Sequence, residues 1–256
     1  MKRLPVALQL YSVREDCGKD FPKVLRAVRE MGYEGVELAG FNGLHVSDLN
    51  AITKDLDLKI VSAHVDRAEL AKDPLASAEL YEALGCQYVA YPWCGLDELP
   101  GGEKYPEFVE TTKKISRSLK IRGIRLLYHN HDHELSLYDD RTLLDNLLND
   151  LGPEVIKLEL DVCWCKYAGV DPARFLRDHK GCVPLIHLKD YTGTKEEKNF
   201  SFAPLGDGCQ DLGDLLVSSL ECGAEWLVVE QDEPSGGLSA MECAKRSIET
   251  LKELQK

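Results

Sequence analysis

Seven short apolar runs of this chain each close on a residue able to bind a metal or handle a proton: Gln9, Glu37, His64, His129, Asp161, His187 and Glu230, with His131 just past the fourth of them. A carboxylate or imidazole inside a buried strand is costly unless it is partnered. At the C-terminal mouth of a parallel barrel, a metal or a substrate supplies that partner. The positions therefore predict one shared site.

Side chains alternate along a strand, so Glu159 and Asp161 of Ile156–Asp161 share a face while Leu158 and Leu160 point away from it. Asp161 is placed either to ligate a divalent ion or to cap the following turn, Val-Cys-Trp-Cys-Lys-Tyr. In Val183–Leu188, His187 shares its face with Lys189, one neutral ligand beside one cation; a histidine satisfied by a backbone carbonyl is the alternative. Three apolar residues lead into Glu230. The densest stretch is Tyr128-His129-Asn130-His131-Asp132-His133-Glu134, where spacing of two lets two imidazoles reach one centre. Taken together, Asp161, His187, Glu230 and a histidine of the strand-five stretch form a carboxylate–imidazole set suited to one divalent ion, Mn²⁺ first and then Co²⁺, Zn²⁺ or Mg²⁺. Such an ion polarises neighbouring carbonyl and hydroxyl oxygens of a sugar and stabilises the enediolate left when a carbon-bound proton is removed. Glu230 or Glu134 is the candidate base. Lys189, His64 and His131 are placed to hold hydroxyls or to stabilise the developing oxyanion, with Glu37 as a further substrate contact. Trp93 and Trp164 follow strands and offer a stacking wall for a sugar, with ordinary packing as the competing explanation.

The runs that carry these residues are Val6–Leu10, Gly35–Leu38, Lys59–His64, Tyr88–Tyr91, Ile124–His129, Ile156–Asp161, Val183–Leu188 and Trp226–Glu230. They alternate with helical periodicity at Phe21–Met31, Lys104–Arg122, Asp171–Lys180 and Ser239–Leu254. The first helix turns Val24, Leu25, Val28 and Met31 to one side. The second does so with Phe108, Val109, Ile115, Leu119 and Ile121, and Asp171-Pro172 caps and opens the third. Eight strand–helix units predict a single-domain (β/α)₈ barrel over residues 1–256. The longest gaps, Trp93–Tyr105 and Tyr191–Asp214, fall on the catalytic face.

Of the 256 residues, 44% are hydrophobic and 29% charged, within the globular range. A net charge of −13 argues against nucleic acid as a partner, because phosphates require a basic footprint. The first residues read as a strand rather than a secretory signal, and no window has the ~18 apolar residues of a membrane span. A cytoplasmic protein without a membrane partner is expected. The nine cysteines contain no CxxC pair and read as reduced, mostly buried thiols.

The stretches Leu8–Asp16, Leu126–Glu134, Leu158–Trp164, Ile186–Asp190, Phe202–Gly208 and Val228–Glu233 together resemble the sugar phosphate isomerase/epimerase family of xylose isomerase-like TIM barrels. The resemblance implies a small carbohydrate substrate, and it allows a homo-oligomer. It also implies one divalent metal on Asp161, His187 and Glu230. Relatives usually supply a glutamate from strand five, where this chain has His129, with His131 and Glu134 as alternatives. That departure is similar to the inositol-catabolic dehydratase branch. The Pro-Leu-Gly-Asp-Gly stretch resembles a family loop that lines substrate through backbone amides. A metal-dependent isomerase or epimerase of a small unphosphorylated sugar or keto-sugar is the leading expectation. A lyase of the same fold, acting on a keto-inositol or a 3-keto-glycoside, is the alternative; a non-catalytic sugar-binding barrel ranks behind both, and an abasic-site nuclease is disfavoured by the charge.

Overall fold

The computed structural model describes residues 3–195 and 197–256. Its eight main strands are β1 (Val6–Gln9), β2 (Gly35–Leu38), β3 (Lys59–Ala63), β4 (Tyr88–Tyr91), β5 (Arg125–His129), β6 (Lys157–Asp161), β7 (Leu185–Leu188) and β8 (Trp226–Val229). They pair in the order β3-β2-β1-β8-β7-β6-β5-β4, every pair parallel. The first and last strands are thus neighbours, and the sheet curls into a nearly closed barrel. Its remaining joint, β3 to β4, is looser: one parallel bridge between His64 and Ala90, with Val65 N donating to Ala90 O at 2.9 Å, and Gln87 N donating to Val61 O at 3.2 Å at its other end.

The strand sequences explain the layering. Val6, Leu8, Leu158 and Leu160 face outward into the main core against the helices. Inward-facing Ala7, Val61, Tyr88, Ala90, Leu127, Leu185, Trp226 and Val228 fill the barrel floor. Further along the same inward rows stand Gln9, Glu37, His129, Asp161 and His187, all buried. An apolar plug therefore lies beneath a polar mouth, with Glu159 on the same row as Asp161 but two residues nearer the floor.

Local chemistry sets the element ends. β1 stops at Gln9 because its side chain accepts a hydrogen bond from Tyr11 N at 3.0 Å and starts the 3₁₀ turn Leu10–Val13. β7 starts at Leu185, two residues later than its apolar run, because Pro184 has no N–H for the ladder; the Pro184 carbonyl accepts from Glu225 N instead. The helix expected from Phe21 begins at Arg14 and bends at Asp20 (φ −159°), two residues before Pro22. Asp171 caps Pro172–Asp178, and Ser239 forms a capping box with Glu242 at the head of Ala240–Leu254. Ile121 leaves its expected face and is 76% exposed, since the helix Tyr105–Ile121 ends there. Helices Val46–Asp55, Pro74–Ala83, Leu143–Leu151 and Leu212–Cys222 complete the outer layer between strands. The long gap after β7 contains an antiparallel hairpin, Asp190–Thr192 with Ser201–Ala203. All nine cysteines are free, and seven of them are buried. Among the described residues no helix is long and apolar enough to cross a membrane.

Candidate active site

The strand ends bring their polar residues together in two tiers. In the deeper one, Glu159 Oε2 lies 2.6 Å from His64 Nε2, 3.2 Å from His129 Nδ1 and 3.3 Å from His187 Nε2. Glu37 Oε2 is 2.7 Å from His187 Nε2 and 3.3 Å from His64 Nε2, and it accepts from Gln9 Nε2 at 2.7 Å. In the outer tier, Lys189 Nζ stands 3.1 Å from Asp161 Oδ2, 2.8 Å from Glu230 Oε2 and 3.0 Å from Asp232 Oδ1. His187 links the tiers, its Nδ1 lying 2.9 Å from Glu230 Oε2 while its Nε2 faces Glu37 and Glu159. Asp161 performs both tasks that its position allows. Its Oδ1 accepts from Cys163 N and Trp164 N, capping Val162–Tyr167, and its Oδ2 faces the cluster without a hydrogen bond.

Burial and neighbouring charge divide the titratable groups. Burial alone would neutralise His187, but Glu159 and Glu37 hold it well above the usual histidine range. Burial pushes the Glu159 carboxyl up, and His187 and His64 more than reverse that, leaving it well below the carboxylate range. Glu37 is raised by burial and by the adjacent Glu159 charge. Burial, reinforced by His187, keeps His129 neutral. Burial favours a neutral Lys189, yet Asp161, Glu230 and Asp232 outweigh it and hold the ammonium charged. Burial likewise lifts Asp232 to about 6 despite Lys189. His131 falls to about 3 through burial and the nearby Lys189 charge.

A divalent ion suits this donor set. Buried atoms without a hydrogen-bond partner include Glu37 Oε1, Glu159 Oε1, Asp161 Oδ2 and His129 Nδ1, all within the cluster. Two overlapping groups offer ligand atoms within 4.8 Å of one another: His129, Asp161, His187 and Glu230, and His64, His129, Glu159 and His187. The first is the set expected from the sequence.

Above the cluster opens a cavity of about 250 Å³, large enough for one sugar ring, lined by His64, His129, His131, Lys189, Glu230 and Asp232, with Tyr11 and Trp93 at the rim. Trp93 is 59% exposed there. Trp164 instead packs into an aromatic group with Phe200, Phe202 and Tyr167, approaching His131 at 5.7 Å and Lys189 at 5.9 Å between ring centres and charge. Glu134 is not brought to the cluster. Its Oε1 accepts from Tyr128 OH and its Oε2 from His131 N, both at 2.8 Å, so it fixes the loop that carries His131. A larger cleft of about 460 Å³ lies at the strands' opposite ends, beside Lys59 and Trp226, away from every imidazole of the cluster.

Three residues here escaped sequence reasoning. Alternation puts Glu159 on the right face but gives it no role, and Asp232 shares a face with Glu230 by the same alternation that pairs His187 with Lys189. Asp190 is the third. Its carboxylate accepts from the backbone N–H of Tyr191, Gly206, Gly208 and Gln210 at 2.9–3.1 Å. The Gly206 and Gly208 amides of the Pro-Leu-Gly-Asp-Gly loop are therefore taken by Asp190, and those of Leu205 and Asp207 by Ser247 Oγ and the Pro204 carbonyl, rather than offered to a substrate. Any side chain at position 208 would collide with that carboxylate, which is why glycine stands there. Asp190→Ala is expected to orphan these donors and weaken the loop by about 3 kcal/mol, near 100-fold in local opening. Amide exchange at Gly206 and Gly208 reads the effect; unchanged exchange would show that the loop holds itself.

A sequence profile described as "Xylose isomerase-like TIM barrel" matches residues 25–254. The rhizopine catabolism protein MocC of Rhizobium meliloti is 23% identical over 271 residues, covering 92% of this chain and 82% of that protein. A crystal structure of a sugar phosphate isomerase/epimerase from Parabacteroides distasonis superposes with a TM-score of 0.85 at 21% identity, over 99% of this chain and all of that one. The IOLI protein, crystallised with a bound zinc atom, gives a TM-score of 0.76 at 16% identity, over 98% of both chains. At these identities the solved structures speak for the fold.

Proposed function

Because the chain belongs to the family of xylose isomerase-like TIM barrels, we propose that it is a divalent-metal-dependent isomerase or epimerase of a small unphosphorylated sugar or keto-sugar. The observation that carries this reading is the convergence of imidazole and carboxylate donors at the mouth of the barrel, with the buried Oε1 atoms of Glu37 and Glu159 left without a partner. The ion would be held by His129, Asp161, His187 and Glu230 or by the overlapping group that includes Glu159. When bound, it would act as a Lewis acid on adjacent carbonyl and hydroxyl oxygens of the sugar.

The chain's own residues supply the rest. Lys189 and His187 keep Glu230 ionised at the cavity wall, in the form that accepts a carbon-bound proton. Across the cavity the neutral His131, with an unpaired buried Nδ1, is able to hold a substrate hydroxyl. Lys189, the one lysine of the lining, is already shared by three carboxylates, so no free cation waits for a phosphate group. Trp93 and Tyr11 flank the entrance with apolar faces on which a sugar can stack. The test is deuterium uptake from heavy water into carbon-bound positions across a panel of unphosphorylated ketoses and keto-sugars. Uptake that disappears on metal removal is the expected result, and no uptake with any member would overturn the reading.

One observation favours a lyase as the second reading. The lining carboxylates, Glu230 and Asp232, both follow β8, whereas the facing wall is imidazole from His64, His129 and His131. Elimination needs a carboxylate base on one side only, followed by loss of a β-substituent in place of reprotonation. An unsaturated ketone absorbing in the ultraviolet would mark this outcome.

A further inference from the structure

We propose that an outer subsite adjoins the cavity on the loops after β4 and β5, built from Trp93, Leu96 and Tyr138, and that it takes the second, uncharged ring of a glycoside. This rests on the carbohydrate reading above and narrows its substrate from a free sugar to a sugar that carries an aryl or second sugar ring.

Exposed apolar side chains gather at the mouth. Eight large hydrophobic side chains are exposed among the described residues. Two of them, Tyr11 and Trp93, line the cavity; Leu96 follows Trp93 on the same loop, and Leu137 and Tyr138 stand on the next one. The two loops touch, because the Tyr138 ring lies over Gly101, where a Cβ would come within 2.6 Å of it. The Trp93 indole in turn passes 3.5 Å from the Cβ position of Gly95. An apolar patch of this kind beside a cavity marks a surface that is used.

The exposure is specified rather than left over. The loop that carries Trp93 and Leu96 buries its Cys94 and Leu99 almost completely. Backbone hydrogen bonds from Gly102 N to Leu99 O and from Lys104 N to Asp97 O, both 2.8 Å, close it on itself. Arg67 pairs with Glu98 and fastens it to the helix Arg67–Lys72. A loop pinned at these points holds Trp93 and Leu96 outward.

The cavity and the local charge identify the occupant. At about 250 Å³ the cavity takes one sugar ring, and Trp93 belongs both to its wall and to the exposed patch. A molecule longer than one ring therefore continues onto the indole. Tyr11, the other rim aromatic, already carries Arg14 against its ring at 4.2 Å. Asp97 pairs with Lys104 at 2.7 Å and Glu98 with Arg67, so the charges beside Leu96 neutralise one another rather than await a phosphate or carboxylate. An uncharged ring with an apolar face matches an indole and a leucine.

The experiment measures, by calorimetry on the full chain as purified, the binding of matched methyl and phenyl glycosides of glucose, galactose, mannose and xylose. For each sugar that binds, the phenyl member should bind about tenfold tighter. Trp93→Ala should bring that ratio near one, and Leu96→Ser should lower it partway; both side chains are exposed, so neither substitution disturbs the core. Equal affinities in the wild type, or an advantage kept in Trp93→Ala, would overturn the proposal. So would light scattering that shows a wild-type dimer and a Trp93→Ala monomer, which would give the patch to a second copy of the chain. If no glycoside binds while free keto-sugars still take up deuterium, the outer subsite falls and the proposed function stands. If neither binding nor uptake is seen, both fall.

Discussion

Replacing His187 with alanine is expected to empty the ion site and to slow proton exchange at the substrate carbon by roughly 1,000-fold or more. His187 belongs to both candidate donor groups, so the expectation does not depend on which tier holds the ion. A Lewis acid at a developing enediolate contributes several kcal/mol, and each 1.4 kcal/mol is about tenfold in rate. His187 also touches Glu37, Glu159 and Glu230, so its loss leaves three buried carboxylates short of a partner. Structural damage must therefore be separated from chemical loss. His187→Asn keeps a hydrogen-bonding group near Glu230 and should preserve the fold better while still losing the ion. Metal per chain by plasma mass spectrometry, with thermal melts of both variants, decides the matter. About one retained ion per chain in a folded His187→Ala protein would remove His187 from the ligands.

Lys189→Met should be the most destabilising single change at the site. The substitution conserves much of the volume and removes the cation shared by Asp161, Glu230 and Asp232, the first two almost wholly buried. Leaving a buried charge uncompensated costs about 3–5 kcal/mol. For a chain of this length, that corresponds to a fall in Tm of roughly 6–20 °C. The cause can be isolated by adding Glu230→Gln to the same chain. If excess negative charge is responsible, the double variant should recover part of the loss, with a coupling of about 0.5–3 kcal/mol. A Lys189→Met protein within about 1 kcal/mol of wild type would mean that the carboxylates hold their own protons and that Lys189 balances nothing.

Much of this arrangement is legible in the chain because strand periodicity is a strong signal and polar strand ends are rare unless they are used. Each of Glu37, His64, Asp161, His187 and Glu230 sits where an apolar run predicts a strand end, and the structure gathers them. The division into tiers is not legible. It depends on Glu159 meeting His64, 95 residues distant, and on which nitrogen of His187 faces which carboxylate, and no local pattern encodes either. Glu134 shows the opposite failure: a carboxylate beside three histidines looks catalytic until Tyr128 and the His131 amide are found to occupy both its oxygens. Element ends moved where one residue has a decisive backbone effect, as Pro184 does at the start of β7. One overlooked signal was present, since Asp73-Pro74 opens the helix Pro74–Ala83 by the same cap that Asp171-Pro172 provides.

The barrel is stitched along seven of its joints and tacked at two points of the eighth, between β3 and β4. Such a ring has a preferred place to gape, and the lip that would lift carries His64 at one of those points. His64 on that side reaches Glu159 on the far side at 2.6 Å, so the side-chain cluster itself is a clasp across the opening. The same residues that gather charge at the mouth thus also hold the seam, and the ring behaves as a closed hoop.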